Sequence, residues 1–357
     1  MGYSFCAGKV LGDLLFFSDD NINALCCVDL CNGSTVYLGQ FPNEDSLLNN
    51  QHVKCLERYG KLFFIPNCGS HIHIFDPDSK RIDSVNFPKN IEARFVVSGA
   101  FFVDDILWIF PASINQPIIT FDIANQIVEK KNSLFDDLKN YKNDSGQDIW
   151  KICKIADIVI LAILGTSILV KYSLGDGRIS IKDSGINNIE GVYNVDDSVV
   201  ICTSDAKMYQ CDEAIETYKE LILGDSISNK GAYLVASNYV GIAYFIPNTG
   251  RNIYRYDANS TRFIRLTLQS RREEMMYGDI NFAEYDIRRD KVVLFPRIGN
   301  DILMIQDDSV IEFVGSEISE KEYKENYWKM LRNITDNGIV RESARFHLED
   351  YIRIITD

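Results

Sequence analysis

A short apolar run, most often ending in an aromatic residue and an acid, recurs down this chain, and its spacing limits the available folds more than any other feature. The run appears as Leu25-Cys26-Cys27-Val28-Asp29, Ile72-His73-Ile74-Phe75-Asp76, Ile118-Ile119-Thr120-Phe121-Asp122 and Ile253-Tyr254-Arg255-Tyr256-Asp257. Degenerate copies end at Tyr172-Ser173, Cys211-Asp212 and Ile305-Gln306. Successive copies end 39 to 51 residues apart, so seven of them occupy most of the 357 residues. A repeat of this period means one supersecondary unit used many times, each burying its apolar faces on its neighbours.

A second element keeps the same phase. Phe64-Ile65-Pro66, Phe110-Pro111, Phe245-Ile246-Pro247 and Phe295-Pro296 each close an apolar run. Proline has no N–H and a fixed φ, so it ends a strand and opens a loop. Asp29, Asp76, Asp122 and Asp257 each begin a turn, because aspartate accepts hydrogen bonds from backbone N–H groups two residues on. In the second copy the pattern predicts strands at 52–59, 61–65, 71–75 and 81–87. Strands this short, at this spacing and without helical periodicity, predict an all-β chain. Seven four-stranded units predict a seven-bladed β-propeller, with blades at 4–41, 52–90, 95–135, 147–184, 189–223, 232–268 and 281–315. Continuous apolar runs such as Ile106–Phe110 and Ile158–Leu164 fit strands buried on both faces.

The segment KLFFIPNCGSHIHIFDPDSKRID resembles a Kelch-type propeller blade, in which a strand, a loop and a strand ending in Tyr or Phe followed by Asp succeed one another. The resemblance implies propeller architecture over roughly residues 4–315. Two departures stand out: Pro-x-x-x replaces the Kelch diglycine, and the late aromatic of the fourth Kelch strand has no regular counterpart. WD-repeat signatures are absent. After Val314 the pattern changes. Ser319 and Glu322 form a capping box, Tyr323, Tyr327 and Leu331 share one helical face, and Leu348, Ile352 and Ile355 share another. A short C-terminal helical extension is expected over 316–357.

Charge narrows the function. With 37 Lys and Arg against 51 Asp and Glu, the net charge of −14 opposes binding to phosphate backbones and anionic lipid. No nucleic-acid or membrane partner is expected. The nine cysteines are odd in number and sit among apolar residues, which suits a reducing compartment. Residues 1–6 carry no basic segment followed by an apolar one, so a cytoplasmic location is expected. No Walker loop, Gly-x-Gly-x-x-Gly, Gly-x-Ser-x-Gly or Cys-x-x-Cys occurs, and no cofactor is expected.

Individual motifs have structural readings beside functional ones. His71-x-His73 has the alternation of a metal pair on a strand, but His73 fills the slot of Cys26, Ile119, Tyr254 and Leu303, which is a packing slot; no metal site is expected. Asp104-Asp105, Asp196-Asp197 and Gly175-Asp176-Gly177 read as tight turns. Glu190, Glu284 and Asp148 lie near the starts of first strands, which line a propeller's channel, and are the candidate catalytic carboxylates for glycoside cleavage. Asn67, Asn115, Asn248, Arg251 and Asn300 follow the prolines, and Arg94, Trp150 and Lys151 stand near first-strand entrances. Asn, Arg and Trp suit sugars or peptide backbones through bidentate hydrogen bonds and stacking. Long connections at 42–51, 132–147 and 269–280 share the same rim. The leading reading is a non-catalytic binding or scaffold module that recognises a protein, peptide or glycan at its loop rim. The alternatives are a cytoplasmic carbohydrate-active hydrolase or lyase, and a sensor holding a small molecule in its channel.

Overall fold

Strand after strand pairs with the next in sequence, because each turn is too short to allow any other partner. The computed structural model describes residues 5–19, 23–44, 50–88, 95–141, 148–195, 198–205, 207–212, 215–221, 233–237, 241–247, 253–266, 280–286, 291–296, 301–306 and 309–315. The expected C-terminal helices, Arg94, Asn248, Arg251, Asn300, Asp196-Asp197 and residues 269–279 lie outside them. Four-stranded antiparallel meanders run over 5–39 (sheet 1), 52–86 (sheet 2), 97–133 (sheet 3), 149–183 (sheet 4), 189–221 (sheet 5), 233–266 (sheet 6) and 280–315 (sheet 7). Sheets 4 and 5 join through one parallel pairing, Lys151 with Gly191. Residues 95–294 and 303–312 form one compact unit, and sheets 1 and 2 belong to another.

The acid turns form as the sequence predicts. Asp29, Asp76, Asp122 and Asp257 accept from the N–H groups of Cys31 (2.7 Å), Asp78 (3.0 Å), Asn125 (3.0 Å) and Asn259 (2.9 Å). Backbone donors of this kind hold the Asp76 and Asp122 carboxyls below their ordinary range. Asp104 takes a positive φ of 50° in the two-residue turn between Val103 and Ile106, the strained position that Asp tolerates.

The apolar runs are continuous because both faces of each second strand are covered. In Ile158–Ile163, Val159, Leu161 and Ile163 pack on Trp108 and Phe110 of sheet 3, while Ile160 and Ala162 pack on Val199 and Ile201 of sheet 5. In Ser198–Thr203, Val199 and Ile201 face sheet 4, while Val200 and Cys202 meet Ala243 and Phe245 of sheet 6. Tyr244 and Ile246 then meet Val292, Leu294 and Leu303 of sheet 7. Sheets 1 and 2 repeat the scheme through Phe16, Leu25 and Cys27 against Leu62, Phe64 and Phe75. Within each unit the core is therefore a series of layers between consecutive sheets, with strands sending alternate residues to opposite neighbours. The connection 132–147 adds to one layer: it contains a one-turn helix, Phe135–Leu138, and buries Leu134 and Leu138 between sheets 3 and 4.

First strands of successive sheets converge. The first strands of sheets 1 and 2 lie side by side, as do those of sheets 3 and 4, 4 and 5, 5 and 6, and 6 and 7. Crowding there explains Gly99: a Cβ at this position would stand 2.4 Å from Ile152 Cγ1 in the neighbouring first strand. Gly191 is confined in the same way by Lys151 Cβ at 3.2 Å and the Tyr193 hydroxyl at 3.0 Å.

Candidate functional site

The first strands of sheets 1 to 5 share an irregularity that no single-strand pattern shows. Pairing with the second strand slips by one residue at Cys6, Val53, Ser98, the Trp150–Lys151 pair and Glu190. Each slip is a β-bulge at or directly after the second residue of its strand, a device that re-aims a side chain and is common beside functional sites. In sheets 1 and 3 the bulged residue fastens the next sheet. Cys6 Sγ donates to the carbonyl of His52, the first residue of the next first strand, and Ser98 Oγ lies 3.2 Å from the equivalent carbonyl of Ile149. Ser98 Oγ also donates to the Pro111 carbonyl at 2.8 Å.

Sheets 4 and 5 depart from that scheme. Trp150 and Glu190 take the place of the small donor, and Trp150 Nε1 and Glu190 Oε2 are buried with no hydrogen-bond partner among the described residues. The parallel pairing of Lys151 with Gly191 sets Trp150 and Lys151 beside Glu190 in sequence register. The Lys151 ammonium lies 5.7 Å from the Trp150 ring centre, a cation–π contact. Burial holds Lys151 below its ordinary pKa and raises the Glu190 carboxyl above its own. Asn194, two turns of the pleat beyond Glu190, donates to the Lys154 carbonyl at 3.2 Å while its Oδ1 is buried and unpartnered. An indole N–H, a carboxyl oxygen and an amide oxygen thus stand on adjacent strands with hydrogen-bonding capacity unspent, and the Lys151 ammonium stands beside the indole.

Other residues singled out in the sequence stand elsewhere. Asp148 is fully buried, and its carboxylate accepts from Ile114 N (3.0 Å) and Ser113 Oγ (3.2 Å), pinning the loop after the second strand of sheet 3 to the start of sheet 4. Asn115 is exposed, and its contacts among the described residues are long local ones of 3.4 Å to Ser113. Glu284 lies on the first strand of sheet 7, Ile280–Asp286. Asn67 belongs to the unit of sheets 1 and 2, where its Nδ2 donates to Asn50 Oδ1 at 2.8 Å.

Around Asn67 lies a second polar cluster, at the edge where the first strand of sheet 2 begins. His52 Nδ1 is 2.8 Å from Ser18 Oγ, its Nε2 is 2.8 Å from His73 Nδ1, and His73 Nε2 is 3.0 Å from the Pro42 carbonyl. Burial holds both rings below their ordinary pKa, His73 to about 4. Beside them, Glu44 Oε1 accepts from Ser70 N at 2.5 Å and lies 3.1 Å from His71 Nδ1. A cleft of about 560 Å³ opens between sheets 3 and 4, lined in part by Ile106, Trp108, Asp137, Tyr172 and the 175–177 turn. None of the nine cysteines is in a disulfide, and no helix among the described residues is long and apolar enough to cross a membrane.

No protein-family description matches the chain, and no curated protein does. Solved structures are similar to it. The extracellular domain of the putative one component system BT4673 from B. thetaiotaomicron shares 13% identity at a TM-score of 0.58, over 85% of this chain and 38% of that one. PorZ, a surface component of the type-IX secretion system of Porphyromonas gingivalis, shares 10% at 0.60, over 89% and 39%. Virginiamycin B lyase from Staphylococcus aureus shares 11% at 0.57, over 83% and 92%. The chain therefore spans about two fifths of the first two proteins and most of the third. Together with the stacked four-stranded meanders, these likenesses show an all-β, β-propeller-like fold, without singling out the Kelch type.

Proposed function

We propose that the chain is a binding module, a seven-bladed propeller of Kelch-like blades with a C-terminal helical extension, and that it recognises a peptide, protein or glycan through Trp150, Lys151 and Glu190. The observation that carries this reading is the unspent hydrogen bonding at the two bulges. Buried polar atoms are nearly always partnered, and leaving one unpartnered costs about 1–3 kcal/mol. At the same strand position Cys6 and Ser98 spend theirs on the next sheet. A ligand presenting both donors and acceptors beside an apolar face, as peptide backbones and sugars do, would satisfy the indole N–H, the ammonium and the carboxyl together. The net charge of −14 and nine cysteines outside any disulfide support a non-nucleic-acid partner and a cytoplasmic setting.

One observation favours a second reading. Burial moves the Glu190 and Lys151 pKa values towards each other, which is how an acid and a base are matched to work near neutral pH. A lyase is among the similar structures. On this reading Glu190 protonates the leaving group and Lys151 removes a proton.

A thermal-shift panel of oligosaccharides and short peptides tests both. The binding reading expects a hit whose affinity falls at least tenfold in Trp150→Phe, Lys151→Met and Glu190→Gln, with no product formed. Unchanged affinity in all three variants overturns the site. Turnover with a bell-shaped pH profile, lost in Lys151→Met and Glu190→Gln, establishes the second reading.

A further inference from the structure

The polar cluster of sheet 2 has a geometry that the binding site does not need. One donor atom each from Glu44, His71 and His73 lies within 4.8 Å of the others. His71 and His73 alternate on the strand His71–Asp76, so both project from the same face. Glu44 comes from the connection after sheet 1, and its side chain is only 4% exposed beside His71 at 10%. Glu44 Oε1 and His71 Nδ1 are 3.1 Å apart. Two ligands on zinc at about 2.0–2.1 Å, set at the tetrahedral angle, stand roughly 3.3 Å apart. That pair already has the spacing of neighbouring ligands.

The proton positions around His73 follow from its partners. A carbonyl only accepts, so His73 Nε2 donates to Pro42 O, its Nδ1 accepts from His52 Nε2, and His52 Nδ1 accepts from the Ser18 hydroxyl. The chain can also run the other way. With an ion on His73 Nε2, His73 Nδ1–H donates to His52 Nε2, and His52 Nδ1–H donates to Ser18 Oγ. Both histidines keep one proton in either direction, so His73 can ligate as neutral imidazole while its second nitrogen stays hydrogen-bonded. Such a supporting partner is what metal-bound histidines generally have.

A second observation points to the same place. Gln51 is fully buried, and neither its Nε2 nor its Oε1 has a partner among the described residues. A Cβ on Gly69 would stand 3.4 Å from Gln51 Cγ and 3.3 Å from Glu44 Oε1, so the unpartnered amide belongs to a side chain packed next to the carboxylate. Asn67 Oδ1 is buried and unpartnered as well. These groups can bond water held by an ion.

We propose that Glu44, His71 and His73 form a site for a first-row divalent metal ion of the zinc type, with Gln51 and Asn67 as outer partners. Two imidazoles and one carboxylate select such an ion over magnesium or calcium, which take oxygen ligands. The site is independent of the Trp150–Lys151–Glu190 reading.

The test uses the full chain, stripped with EDTA and titrated with Zn(II) by calorimetry and with Co(II) by visible absorption. One equivalent of each is expected to bind, with ligand-field bands from a nitrogen–oxygen site and a higher unfolding temperature in Zn(II). Affinity should fall at least tenfold in Glu44→Gln and in His71→Gln, and stay unchanged in Cys31→Ser and Cys68→Ser. Magnesium should not compete. Should either variant fail to fold, the Co(II) spectrum of the unaltered chain decides. Failure of the unaltered chain to bind either ion, binding insensitive to both ligand variants, thiolate bands in the spectrum, or loss of binding in a cysteine variant would each overturn the proposal.

Discussion

Replacing Glu190 with serine should make the protein more stable, and the gain should depend on pH. Serine is what sheet 3 carries at this strand position, where Ser98 bonds the carbonyls of Pro111 and Ile149. The substitution removes a buried, unpartnered carboxyl oxygen, which costs about 1–3 kcal/mol, and allows a hydrogen bond worth about 0.5–1.5 kcal/mol. Losing one buried methylene takes back about 0.8 kcal/mol. A net gain of about 1–2 kcal/mol is expected at pH 8. The sign of the pH dependence follows from the raised Glu190 pKa. Above the folded-state value the buried carboxylate penalises the native state; below the ordinary value of 4.5 both states are protonated and that penalty is gone. Urea unfolding of both proteins at pH 8 and pH 4.5 measures this, and the advantage of serine should shrink at the lower pH. A variant that is less stable at pH 8, or whose advantage does not change with pH, would show that Glu190 is a structural residue already satisfied in the fold. The gain should come with loss of ligand binding, because functional residues are commonly the ones a fold would be more stable without.

Three further outcomes test neighbouring parts of the account. Gly99→Ala should destabilise by about 1–3 kcal/mol through overpacking, and Ile152→Ala should relieve much of that, since the nearest remaining Ile152 atom is Cβ at 3.9 Å; a double-mutant cycle showing additivity would refute the crowding of first strands. Asp148→Ala should cost about 2–4 kcal/mol in thermal or urea unfolding, because Ile114 N and Ser113 Oγ lose a buried charged acceptor; a cost under 1 kcal/mol would return Asp148 to the candidate catalytic groups. Lys151, held below the ordinary lysine range by burial, should react with an amine reagent at lower pH than exposed lysines such as Lys207, as read by mass spectrometry of competitively labelled protein. Identical midpoints would remove the desolvated amine from the account.

Much of the fold was legible because its signals are local. Asp76 turns the chain through bonds to residues two and three positions away, and Pro66 ends a strand by its own chemistry, so both can be read from a single copy of the repeat. Continuous runs such as Ile158–Ile163 carry the double-sided burial in their composition. The site was legible only in part. Trp150, Lys151 and Glu190 could be placed near first-strand starts, but their bulges exist only in the pairing of two strands and leave no mark in one. The two residues that spend the same slot on a fastening bond, Cys6 and Ser98, are visible as a set only once the strands are aligned. Asp148 looked like a free carboxylate because the loop it holds lies 34 residues earlier. Glu44 was missed for the same reason: its partner His71 is 27 residues away, and the histidine pair alone has the spacing of a packed strand.

The central claim is that the two bulged strands of sheets 4 and 5 hold a ligand, and tryptophan fluorescence tests it most directly. The chain has three tryptophans, and Trp150 is the one placed at the site. Titrating the best hit from the oligosaccharide and peptide panel should give a saturable change in emission that disappears in Trp150→Phe. In Glu190→Ser it should shift to at least tenfold higher ligand concentration, while the protein remains folded. A change that survives unaltered in both variants would contradict the account.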